Sequence, residues 1–212
     1  MSLMLEQLEK GDILISCKKN EHARTALISH ALLVANNVAT PSGIVIQFFD
    51  ITTLGFCKKY FRQSLLEKWS VFAYRLSGNK IIAGQAATIG NFWISQCPHI
   101  IDGWHIVSPN IYSISSICSS FLGNPCFGPK AIKYVTYLNK TCQYNPPKEF
   151  TPRSVQWFSG VICTFLPIAL YQSYLGVEKS YRYMAIDAKK SLPRDLAIYL
   201  HNNPSWKFIG NS

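Results

Sequence analysis

Apolar and β-branched runs crowd the first third of this chain, at positions 12–16, 29–35, 44–51 and 70–76. Runs of this length with turn residues between them predict strands. Asn36–Asn37 and Pro41–Ser42–Gly43 supply turn chemistry between the second and third, and Ser77–Gly78–Asn79 closes the fourth. Strands gathered so closely predict an antiparallel sheet. The remainder has a different period. Ile81, Ile82, Gln85, Ala86, Ile89, Phe92 and Trp93 recur at helical spacing. Positions 112–122 and 130–138 also read as helices, the latter with Pro129 suited to a first helical position. A helix beginning near Cys163 and another over 193–200 complete the set, and Met4, Leu5 and Leu8 mark a short amphipathic helix ended by Gly11. A strand cluster packed on segregated helices is an α+β fold.

At 212 residues the chain suits a single domain over 1–212, with a helical insertion around 96–150. Twenty-one Lys+Arg against 11 Asp+Glu leave a net charge of +10. The basic residues come as scattered pairs, Lys18–Lys19, Lys58–Lys59 and Lys189–Lys190, with no recognised nucleic-acid motif. The expected partner is therefore an acidic substrate or an anionic surface such as membrane headgroups, not a specific nucleic acid. Seven cysteines at irregular spacing, behind a start that lacks a secretory signal, read as reduced thiols. The expected location is cytoplasmic, or a host cell reached without a classical signal peptide. The most apolar stretch, 161–175, contains Pro167, Gln172 and Ser173 and is too short to span a bilayer comfortably.

Two residues carry the chemistry. His30 lies early in the second strand and Cys163 opens a late helix. A cysteine of ordinary pKa, about 8.5, is mostly a thiol at neutral pH, and a neighbouring imidazole makes it a thiolate and stores the proton. Period-two geometry puts His30, Leu32 and Val34 on one strand face and Val45, Gln47 and Phe49 on one face of the next strand. Gln47 is the polar exception in GIVIQFF, and its amide is the expected partner for the second nitrogen of His30. Each residue alone has a plainer reading, as a satisfied core histidine, a small buried cysteine and an edge-exposed glutamine.

A rival cluster, Cys97, His99, His105, Cys118 and Cys126, holds zinc-type ligands, but its spacing matches no common structural site. No metal or cofactor is expected.

GDILIS, SHALLVA, IVIQFFDITTLGF, GVICTFLPIALYQSYLG and SLPRDLAIYLHNNPSWKFIG, in that order, resemble the permuted papain-fold cysteine hydrolases of the NlpC superfamily, in particular the YiiX-like branch. The resemblance runs through most of residues 7–210. It implies a circularly permuted papain-like fold with an antiparallel sheet packed against helices. It also implies Cys163 as nucleophile, His30 as base and Gln47 as the orienting group where the family usually carries Glu. Substrates would be peptides, proteins or acyl lipids, cleaved at an amide, peptide, ester or thioester bond. Pro167 departs from the expected pattern: it distorts the first turn of a helix begun at Cys163, or else starts that helix itself. The alternatives to a hydrolase are a catalytically silent binding module for an acidic protein, membrane or nucleic acid, and a lipid acyltransferase.

Overall fold

A computed structural model describes residues 3–26, 29–41, 43–52, 55–61, 68–95, 99–101, 104–106, 125–143 and 163–212. A single 3-10 turn, Leu5–Gln7, stands where the amphipathic N-terminal helix is expected. The strands are β1 (Ile13–Lys18), β2 (Ser29–Thr40), β3 (Gly43–Thr52), β4 (Gly55–Phe61), β5 (Trp69–Leu76), β6 (His99–Ile101), β7 (Trp104–Ile106) and β8 (Trp206–Asn211). The helices are α1 (Lys80–Ser95), α2 (Pro129–Gln143), α3 (Phe165–Tyr183) and α4 (Pro193–Asn202). Six strands form one sheet in the order β4-β3-β2-β1-β5-β8, antiparallel at every pairing, and β6 and β7 form a separate hairpin. The architecture is α+β, as the periodicities predict.

Both faces of the sheet are apolar because successive residues of β1 and β2 are apolar and point to opposite sides. Ile13, Ile15, Leu33, Phe49 and Tyr74 pack with Ala83 and Ala86 of α1, Phe165, Ile168 and Tyr171 of α3, and Leu196 of α4. On the other side Leu14, Leu32, Val34, Phe48 and Val71 are covered by Leu3, Leu5 and Leu8. The first nine residues of α3 are all buried, so it is a central helix with no solvent face there. Gly176 interrupts it at φ 65°, ψ −175°, and Asn139 of α2 donates to Ser173 O just before that kink. Among the described residues no helix is long and apolar enough to cross a membrane.

Three expectations change. Asn36–Asn37 is not a turn: β2 runs through it to Thr40 with a bulge between Val34 and Asn36, and the Asn37 amide donates to Leu8 O. The strand β4 was hidden by Lys58–Lys59, which break the apolar alternation of GFCKKYF. The expected helical insertion contains the β6–β7 hairpin as well as α2, and the helix expected over 112–122 lies outside the described residues.

Candidate active site

His30 is the second residue of β2, and Ser16 on β1 is its backbone partner. The pairing of Leu33 with Phe49 continues to place Asp50 opposite Leu32, on the diagonal from His30. Diagonal neighbours on one sheet face are within reach of long side chains. His30 Nε2 meets Asp50 Oδ1 at 2.5 Å. The next strand repeats the relationship: Asp50 pairs with Cys57, and Lys59, two residues on, places Nζ 2.9 Å from Asp50 Oδ2. Both carboxylate oxygens are thus occupied by cationic partners, and the side chain is only 5% exposed.

The remaining side of the imidazole faces Cys163. Cys163 lies close enough to the ring for its thiol and its charge to act on the imidazole. Cys163 is buried while the imidazole keeps about a third of its surface open, so solvent reaches the pair from the histidine side. Burial by itself would lower the His30 pKa. The Cys163 charge, the hydrogen bonds to Asp50 and Cys163, and the Asp50 charge outweigh it and raise the value to about 10. The Asp50 carboxyl is resisted by burial in the same way. It is nevertheless held below the usual carboxylate range by His30 and Lys59. An ionised carboxylate only accepts hydrogen bonds, so Nε2 carries the proton between them.

Cys163 owes its position to the start of α3. Thr164 is the residue before the first helical position, and Leu166 N donates to Cys163 O at 3.4 Å. The helix begins at Phe165, between the two starts considered from sequence. Pro167 is then its third residue, where a backbone N–H would lack an intrahelical acceptor anyway. The proline therefore costs the helix no hydrogen bond, and Cys163 stays at its positive end. The Thr164 hydroxyl is buried without a hydrogen-bond partner.

Gln47 is not brought to this cluster. It pairs with Asn36, six residues along β2 from His30, or about 20 Å at 3.3 Å per residue. Its amide donates instead to the hydroxyl of Tyr60, its partner on β4. The expectation treated strand faces correctly but could not supply the register between strands. Asp50 carried one legible signal: it is the first acidic residue after Glu21, at the polar end of GIVIQFFD. Of the rival zinc set, Cys97 and Cys118 lie outside the described residues, and among the described residues no three His, Cys, Asp or Glu side chains are grouped to hold a metal.

No family model, characterised protein or solved structure matches this chain.

Proposed function

We propose that the protein is a cysteine hydrolase on a permuted papain-like fold, with Cys163 as nucleophile, His30 as base and Asp50 as the group that orients His30. The reading rests on one observation: a single imidazole bonded to a carboxylate and lying beside a thiol at a helix N-terminus. His30 takes the Cys163 proton, and the thiolate forms a C–S bond to the carbonyl carbon of an amide, ester or thioester. Backbone N–H groups at the start of α3 stabilise the oxyanion. The imidazolium returns its proton to the departing amine, alcohol or thiol. Water, deprotonated by His30, then cleaves the acyl–sulfur bond and frees the acid and the enzyme. Asp50 holds the ring and favours its charged form throughout.

The test is the iodoacetamide labelling rate of Cys163 against pH, resolved by mass spectrometry, in the parent and in His30→Ala. Fast labelling at pH 6–7 that collapses in His30→Ala is expected. Labelling as slow as that of a free thiol of pKa about 8.5, unchanged by the substitution, overturns the proposal and leaves the binding-module reading.

A further inference from the structure

We propose that Lys59 is a positioning residue of this site: by gripping the outer oxygen of Asp50 it fixes the carboxylate against His30 and sets the pH range over which Cys163 reacts. The inference rests on the hydrolase reading above and adds a fourth member to it.

The geometry is specific. Asp50 is approached from both sides by different strands, His30 of β2 on Oδ1 and Lys59 of β4 on Oδ2, at 2.5 and 2.9 Å. A carboxylate held at one oxygen can still rotate about its χ2 bond, because that torsion is broad and nearly two-fold. Held at both, it presents Oδ1 to the imidazole in one orientation. Cys57, the third group beside it, donates its thiol to the Asp50 carbonyl at 3.6 Å. Burial, and after it the Asp50 charge, push the Cys57 thiol up to about 12, so it adds no charge at neutral pH. On the far side of His30 stands Cys163. Among the described residues the charged contacts here join Cys163, His30, Asp50 and Lys59, two potential anions and two cations. A lysine paired with a mostly buried carboxylate also has a bland role, holding β4 to β3. The two roles differ in what they do to Cys163, to which Asp50 and His30 connect Lys59 among the described residues.

Removing a cation from such a network makes every nearby ionisation to the anion harder and every protonation easier, so all the coupled pKa values rise. The Cys163 labelling profile of Lys59→Met should accordingly move to higher pH, by about half to one unit. Its rate at pH 6 should fall about 3- to 10-fold. Lys59→Arg keeps the charge and a donor to Oδ2 and should stay within about 0.3 unit of the parent. In an Asp50→Asn background, Lys59→Met should produce less than half of that shift, because the connecting charge is gone.

The experiment is the site-resolved labelling profile from pH 4 to 10 in the parent, these variants and Lys59→Gln, with near-ultraviolet circular dichroism to confirm the fold. If Lys59→Met does not fold, Lys59→Gln, of similar length and neutral, is read in its place against the same expectation. An upward shift that Lys59→Arg restores supports the proposal. A profile that keeps its midpoint, whatever happens to the maximal rate, overturns it and leaves Lys59 as a strand tie. Failure of the underlying reading is distinguishable: slow parent labelling that ignores His30→Ala removes the hydrolase before Lys59 is considered.

Discussion

His30 and Asp50 meet at 2.5 Å although 20 positions separate them, because the β2–β3 hairpin folds back with a bulge that sets its register. The carboxylate therefore occupies the place at the ring that the sequence offered to Gln47. Asp50→Asn keeps the size and removes the charge, and should lower the Cys163 labelling rate at pH 7 by about 10- to 100-fold. Gln47→Ala, whose side chain is occupied with Tyr60, should stay within about twofold of the parent. Measuring both under identical conditions decides which residue supports His30.

The same contacts make stability depend on pH. His30 has a raised pKa, so its contribution is whole below its unfolded value of about 6.5. It is then lost as pH rises through about 10. Asp50 has a lowered pKa, so its contribution is present above about 3.9 and is lost as pH falls through its folded value. Urea midpoints of the parent and His30→Ala should converge between pH 6.5 and 10. A gap that is constant over that window would count against the imidazolium as a stabilising ion.

At the opposite end of β1, Asp12 is buried and takes two bonds from Arg75, Nε to Oδ1 at 2.9 Å and Nη2 to Oδ2 at 2.7 Å. Burial pushes the Asp12 carboxyl up, and Arg75 offsets this only in part. Arg75→Met leaves that carboxylate buried without its cation and should cost about 3–5 kcal/mol at pH 7. The deficit should shrink as pH falls and Asp12 becomes neutral, which urea unfolding at pH 4 and pH 7 would show.

Gly11 sits at φ +92°, and a Cβ there would lie 2.5 Å from the backbone oxygen of Ala83 on α1. Its own carbonyl accepts a 2.7 Å bond from the buried Tyr171 hydroxyl of α3. Neither the left-handed backbone nor a backbone clash can be relieved by moving a side chain. Gly11→Ala should lose about 2–4 kcal/mol, read as a lowered thermal midpoint with an unchanged Cys163 labelling profile.

Periodicity sufficed for much of the fold because it is a local property. The apolar runs near Ile13, Leu32, Phe48 and Phe72 became strands, and the helical spacing from Ile81 to Trp93 became α1. The same reading overlooked β4, where Lys58 and Lys59 interrupt the pattern, since the lysine that answers Asp50 is explained only by its neighbour. Chemistry was partly legible too. Cys163 and His30 stand out by residue type and by their place on a helix start and a strand, and the structure brings them together. Which residue supports the histidine was not legible. Faces alternate along one strand, but which residue lies opposite which is a relation between two strands, set here by a bulge. The chain alone therefore determined its layers, its central helix and the pairing of a thiol with an imidazole. Tertiary structure decided that Asp50, held in turn by Lys59, meets His30 while Gln47 bonds Tyr60, because hydrogen-bond distances depend on register and no local pattern encodes it.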